Sequence, residues 1–535
     1  MIKLPLGLFA ASVAAIVAAW WWLGRPIDMP AQVRGDGGSL QCVSYAPFRQ
    51  DQNPLEPGTH VAAWQIEEDL GRLRKLTDCI RTYSTEHGVD QVPAIAAPLG
   101  MKVMLGLWLS PEREKNRVQI DSAIALARRY PETVTAVVVG NEVLLRGELS
   151  AVDLAAIIRE VKAAVPCPVT YADVWEFWNR NSELASAVDF VTIHLLPYWE
   201  DFPIPVAGAA AHVESIRRQM VARFAGKEVM IGEVGWPSAG RMREGALPSP
   251  ANQARFLQEV TATARSQNYR VNVIEAFDQP WKRRLEGTVG GHWGLFDAVK
   301  RAPKFAWGAP VSNHPDWAWQ AAGGVVFAGL VFGMAGVQAR RHPVVPPLDR
   351  WLGVTLIAAV SGTLIGWTVA NVPVESLGVG GWAVSIAWAA LALAAPLGCA
   401  AGLIRSIPVA SFGRVLGRPK ERPRDPVALL TGALLVGLSV LSLQVALMLV
   451  FDPRYVDFPF APLLGAAVPF LALAILAEPE KGVRPAAEKL AAGILAGSAI
   501  YILLNESVAN WQALLLCAGL AMLAVTLVRV RVAPG

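Results

Sequence analysis

The chain has 535 residues, of which 53% are hydrophobic and only 17% charged, with 19 tryptophans and a formal net charge of +4. This length leaves room for two or three domains, and the composition excludes an ordinary soluble single-domain protein. The positive excess is too small, and too concentrated in short connecting segments, to argue for a nucleic-acid partner.

A lone Lys3 precedes an apolar segment from Leu6 to Leu23 that ends in Trp20-Trp21-Trp22. A signal peptide needs small residues at its cleavage site, so residues 1–24 are expected to form an uncleaved transmembrane anchor. Residues 25–316 then alternate between two patterns. Apolar, β-branched runs at 43–48, 79–84, 102–109, 134–141, 168–173, 188–198, 227–236 and 271–278 read as strands. Helical spacing lies between them, at Ile66–Leu76, Ile120–Arg129, Leu154–Val165, Val213–Phe224 and Ala251–Ser266. Eight strand–helix repeats in a segment of this size predict an α/β fold, a (β/α)8 TIM barrel, for which about 250 residues is typical. A doubly wound open sheet would need a Gly-rich phosphate loop after its first strand, where Ala46-Pro47-Phe48-Arg49-Gln50 stands instead.

Cys42 and Cys79 each sit at the start of an apparent strand, and adjacent strands would place their sulfurs side by side. A disulfide is one reading; Cys167 as a competing partner and three free thiols are the others. Two later strands end in carboxylates: Glu142 in Val137-Val138-Val139-Gly140-Asn141-Glu142-Val143, and Glu233 in Val229-Met230-Ile231-Gly232-Glu233-Val234-Gly235-Trp236-Pro237-Ser238. In a parallel barrel the C-terminal strand ends form the functional mouth, and two acids delivered there are the equipment for cleaving a glycosidic bond. His194, on the sixth strand, reads as a core histidine.

These motifs resemble glycoside hydrolase family 17, the β-1,3-glucanases and β-1,3-glucanosyltransferases. Arg81-Thr82-Tyr83, Glu275-Ala276-Phe277-Asp278-Gln279-Pro280-Trp281-Lys282, Glu286 and Trp293-Gly294-Leu295-Phe296 extend the likeness over residues 40–310. The resemblance implies a retaining mechanism in which Glu233 is the nucleophile and Glu142 the acid/base, its proton held by the negative charge nearby. It implies that Asn141 binds the sugar 2-hydroxyl and that Glu275, Lys282 and Glu286 form a polar cluster near the acid/base. Arg81 and Tyr83 are expected to hold the nucleophile's carboxylate, with a structural Arg in the barrel as the alternative. Trp175, Trp199, Trp236 and Trp281 fall near strand ends and are candidate sugar platforms, with rim packing as the other reading. Tyr198 is a further candidate, although Leu196 stands where plant members of the family carry an additional Tyr. No metal-ligand spacing, P-loop, serine elbow or Cys–His pair occurs, and catalysis by two acids calls for no cofactor.

Residues 317–535 are expected to form a membrane domain of about seven helices, near 318–338, 351–371, 380–404, 427–451, 460–477, 487–504 and 509–528. With a cytoplasmic N-terminus, the inward connections hold Arg340, Arg341, Arg350, Arg405, Arg414, Arg418, Lys420, Arg422, Arg424, Lys481, Arg484, Lys489, Arg529 and Arg531. The outward connections after the second segment hold only Arg454. This asymmetry predicts a multi-pass protein of the bacterial inner membrane, with a periplasmic catalytic domain and both termini cytoplasmic. The expected partners are a β-glucan, the lipid bilayer and, through the membrane helices, a glucan synthesis or export machinery. Transfer onto a β-1,3/β-1,6-glucan is the preferred activity. Endo-hydrolysis of β-1,3-glucan and non-catalytic glucan binding are the alternatives.

Overall fold

The computed structural model describes residues 3–30, 40–477 and 484–529. They divide into two compact units: Ile27–Ala239 with Gly245–Val311, and Met1–Pro26, Gly240–Glu244 and Ser312–Gly535.

The first unit is a closed barrel of eight parallel strands in sequence order: β1 (Cys42–Ser44), β2 (Cys79–Arg81), β3 (Lys102–Leu107), β4 (Val134–Asn141), β5 (Val169–Val174), β6 (Val191–Leu195), β7 (Val229–Val234) and β8 (Val271–Val273). Alternation sets the two faces of each strand. On β4, Ala136 and Val138 point inward with Met104, Ala172, Phe190 and Met230. Val137 and Val139 join the larger core beneath the surrounding helices. Five of those helices, Ala63–Leu73, Arg113–Arg129, Ala151–Ala164, Val206–Arg223 and Pro250–Ser266, follow the spacing read from the sequence. Ser150 and Ser249 start two of them by accepting from the backbone N–H three residues on, at Asp153 and Asn252. The remaining connections carry shorter helices, at Val92–Ala96, Trp175–Arg180 and Arg283–Gly290. None is long enough to leave a helical period in the sequence.

Cys42 and Cys79 open β1 and β2, which are paired as Val43↔Ile80, and the two are joined by a disulfide. Cys167 is a free thiol. The bond lies at the N-terminal strand ends, opposite the mouth.

The second unit is helical. Among the described residues, seven helices are long and apolar enough to cross a membrane: Lys3–Leu23, Trp317–Arg341, Leu348–Glu375, Gly378–Ile404, Pro426–Phe451, Ala486–Glu506 and Trp511–Val528. An eighth apolar helix, Phe460–Leu476, has 17 residues and spans about 25 Å at 1.5 Å per residue, a little short of a bilayer core. The interior of the helical unit is mainly apolar, with Thr431, Arg484, Glu488, Glu506 and Asn510 among the polar residues buried in it. Gly324 meets Gly362 so closely that a Cβ on Gly324 would lie 2.2 Å from the Gly362 carbonyl oxygen, the kind of backbone approach that small residues permit between membrane helices. Lys481 and Arg531 fall outside the described residues.

Candidate active site

Strict alternation on β4 and β7 would leave both key side chains misplaced. With Val138 and Met230 inward, the next inward positions are Gly140 and Gly232, while Asn141 and Glu233 would face the helices. Each strand inserts one residue at that point. The pairing passes from Val138↔Thr170 to Asn141↔Ala172, and from Ile193↔Ile231 to His194↔Glu233. The extra residue on β4 and on β7 re-aims Asn141 and Glu233 into the barrel, a common use of bulges beside active sites. Glycine allows the first. Gly140 has φ 87°, and Glu142, two residues later, is itself left-handed at φ 52°.

The acids converge. A carboxylate oxygen of Glu142, one of Glu233 and a ring nitrogen of His194 all lie within 4.8 Å of one another. Arg81, fully buried on β2, donates from Nη1 to Glu233 Oε1 (2.9 Å) and from Nη2 to Asn141 Oδ1. Tyr83 donates to the same Glu233 oxygen at 2.8 Å. The nucleophile candidate thus has the charged hydrogen bonds expected of it, and Arg81 ties it to Asn141. Glu142 is the more accessible acid, with its side chain 22% exposed against 5% for Glu233.

Around the acids the fields differ from expectation. Burial raises the Glu142 carboxyl, but the hydrogen bond from His194 and the charges of His194, Arg146 and Arg81 outweigh it and leave Glu142 below its ordinary value. Nearby Asp173, on β5, is pushed up to about 6, chiefly by burial. Glu275 is pushed up to about 7 by burial, against the pull of Lys282, whose Nζ donates to both Glu275 oxygens at 3.0 and 3.1 Å. Lys282 is in turn raised, because Glu275, Glu286 and Glu233 outweigh its burial. The structure therefore brings Glu275, Lys282 and Glu286 together within reach of the charge on Glu233.

The expected sugar platforms divide. Trp175, Trp199 and Trp281 are half-buried. Trp175 donates to Glu200 (3.3 Å) and Trp281 to Gln279 (2.9 Å), while Trp199 stacks on Trp293. Trp236 and Tyr198 are placed differently, and both are fully enclosed. Trp236 donates to the Leu247 carbonyl and packs on Phe256, and Tyr198 sits among Trp199, Trp236 and Trp293. These aromatics pack on one another and leave neither ring a face for a sugar.

Residues 42–294 match the model of the BtgE/BtgC glycoside hydrolase domain. They are a family 17 glycoside hydrolase domain. The chain is similar to a glucan 1,3-beta-glucosidase of Arthroderma benhamiae, at 27% identity over 272 residues, covering 47% of this chain and 86% of that one. It is also similar to one of Saccharomyces cerevisiae, at 26% identity over 262 residues and with 45% and 83% covered. Among solved structures, a family 17 β-1,3-glucanosyltransferase from Rhizomucor miehei is 25% identical, with 50% of this chain and 98% of that one covered and a TM-score of 0.45.

In the family 17 domain, His194 is the buried, hydrogen-bonded histidine of β6 that the sequence suggests, and it places Nδ1 2.8 Å from Glu142 Oε1 and Nε2 3.7 Å from Glu233 Oε1. That placement follows the parity of β6, where Phe190, Thr192 and His194 share the inward face. Arg146 was missed. It donates to the Asn141 carbonyl and lies over Trp108, 4.1 Å from the ring centre. The Glu142–His194–Glu233 group is the one metal-sized donor cluster found among the described residues. Arg81 already places a fixed positive charge on Glu233, which opposes a cation there.

Proposed function

We propose that the family 17 domain is a retaining, β-glucan-active transglycosylase that elongates or branches a β-1,3/β-1,6-glucan. The observation that carries the mechanism is the distance between acids. Carboxyl groups about 5–5.5 Å apart serve retention, and those of inverting enzymes stand about 6.5–9.5 Å apart to admit a water. One carboxylate oxygen of Glu142 lies within 4.8 Å of one of Glu233, an approach that supports the closely spaced, retaining arrangement. Glu233, fixed by Arg81 and Tyr83, attacks the anomeric carbon. Glu142 protonates the leaving oxygen and then takes the proton of the incoming hydroxyl.

The names of the relatives, glucan 1,3-beta-glucosidases, support a β-1,3-glucan substrate, and they favour plain hydrolysis as the second reading. Transfer is preferred because the same chain carries a polytopic helical unit, which suits an enzyme remodelling a glucan at the membrane. In this reading the helical unit holds the chain in a bacterial inner membrane, with the barrel periplasmic and both termini cytoplasmic, and a glucan synthesis or export partner docks on it.

The test is incubation of the protein with a defined laminari-oligosaccharide, with products followed by mass, linkage and anomeric configuration. Transfer yields products longer than the donor, with configuration retained. Trp281→Ala shifts the ratio toward hydrolysis, if the ring supplies the roughly 1–3 kcal/mol that aromatic stacking is worth for flat ligands. Only shorter products at high donor concentration would leave a glucanase.

A further inference from the structure

His194 has no part in a two-carboxylate mechanism, yet it stands between the two carboxylates. Its side chain is fully enclosed, Nδ1 is hydrogen-bonded to Glu142 at 2.8 Å, and Nε2 is buried without a hydrogen-bond partner, 3.7 Å from Glu233. The groups that face it are Glu142 beyond β4, Glu233 on β7 and Asp173 on β5, with Arg81 and Arg146 acting on the same cluster through Glu142. The ring is closely held. A Cβ on Gly232 would come within 3.3 Å of Cδ2 and 2.3 Å of the Thr192 methyl.

The retaining cycle needs a proton on Glu142 in its first half and none in its second. The surroundings oppose the first half, because the His194 hydrogen bond and the arginine charges stabilise the carboxylate form of Glu142. A neighbour able to hold that proton and return it across an existing hydrogen bond resolves the conflict. We propose that His194 is the proton-sharing, positioning partner of the acid/base. One proton is held jointly along the Nδ1···Oε1 hydrogen bond, and the pair, rather than Glu142 alone, supplies it to the leaving group. The inference rests on the reaction proposed above.

As a Glu233 oxygen bonds to the anomeric carbon, the glycosidic C–O bond breaks and its electron pair stays on the leaving oxygen, which takes the shared proton from Glu142. The ring keeps one N–H, at Nε2 on the Glu233 side, and Nδ1 is left unprotonated facing the new Glu142 carboxylate. In the second half the acceptor hydroxyl oxygen bonds to the anomeric carbon, the ester bond breaks with its electron pair returning to Glu233, and the hydroxyl proton passes to the Glu142–His194 pair. The charge on Glu233 favours a proton on the pair while Glu233 is free. That attraction vanishes when Glu233 is an ester, which frees Glu142 to act as base.

The test uses the full chain in detergent and two substrates over a range of pH: a laminari-oligosaccharide, and a dinitrophenyl β-glucoside whose leaving group needs no proton. His194→Asn keeps a donor near the Nδ1 position but cannot carry the proton. For this variant the basic limb of kcat/KM on the oligosaccharide is expected to move to lower pH by about one unit or more. Its rate at neutral pH should fall about 100-fold, the scale of a lost proton transfer, while the dinitrophenyl substrate loses no more than about tenfold. His194→Gln, a longer amide, is expected to show the same split. An unmoved basic limb, or equal losses on both substrates at every pH in both variants, gives His194 a structural role only and overturns the proposal. A wild type inert on both substrates would instead overturn the proposed function itself.

Discussion

Glu142 and Glu233 sit in different surroundings, so their substitutions should fail in different ways. Glu233 is clamped by Arg81 and Tyr83. Glu233→Gln keeps its shape and leaves no nucleophile. Turnover is expected to fall by about 10⁴-fold or more, with glucan binding retained, as read by parallel rate and binding measurements. Glu142→Ala should still form the glycosyl-enzyme from a substrate with a good leaving group and then stall. Added azide is expected to release it as a β-glycosyl azide, and recovery of the α-product would overturn the assignment of roles. Glu275 sets a pH dependence of stability. Its carboxyl lies near 7 in the folded barrel against 4.5 ordinarily, so between these values the folded state holds a proton that the unfolded chain has released. Stability from this group is therefore full below about pH 4.5 and is lost as pH rises toward 7. Glu275→Gln should flatten that decline in a tryptophan-fluorescence melting series.

Among the elements, β1, β2, β4 and β7 do the positioning. The bulges at Gly140 and Gly232 move Asn141 and Glu233 to the inward face, where Arg81 bridges them. At the other end of the barrel, the Cys42–Cys79 disulfide ties β1 to β2 across 37 residues of chain. A cross-link of that span restricts the unfolded chain, and its loss typically costs about 2–4 kcal/mol. Cys42→Ser with Cys79→Ser, or reduction of the wild type, is expected to lower the melting temperature of the barrel while leaving kcat nearly unchanged, because the bond lies opposite the mouth. A large fall in kcat at permissive temperature would show that the barrel transmits the strain to the site.

For the whole molecule, orientation is the open variable, and charge is the lever on it. Arginines and lysines cluster on alternate connections between the apolar helices, which favours retention of those connections in the cytoplasm. Reporter fusions after Gly336 and Gly535 should behave as cytoplasmic, and a fusion after Asn371 as extracytoplasmic. Extracytoplasmic activity at Gly535 would reverse the orientation of the helical unit. If the barrel meets an oxidising space, as this orientation requires, the Cys42–Cys79 bond should be found formed in protein isolated under thiol-blocking conditions.

Local chemistry made much of this molecule readable before any coordinates. Strand and helix periods follow from side-chain burial on one face, so eight β-branched runs and five helical stretches were sufficient for a barrel, and uninterrupted apolar stretches for membrane-type helices. Glu142 and Glu233 stood out because each ended a strand, and strand ends in a parallel barrel face one mouth. The rest depended on distance between segments far apart in the chain. Alternation alone points Glu233 away from the mouth, and only the pairing of β7 with β6 and β8 reveals the inserted residue that turns it inward. Trp236 and Tyr198 have the composition of sugar platforms, but enclosure is decided by which rings pack around them. The same holds for His194. Its residue type and strand position suggest a core histidine, and its place between two carboxylates arises from the convergence of β4, β6 and β7, because burial and charge act through space rather than along the chain.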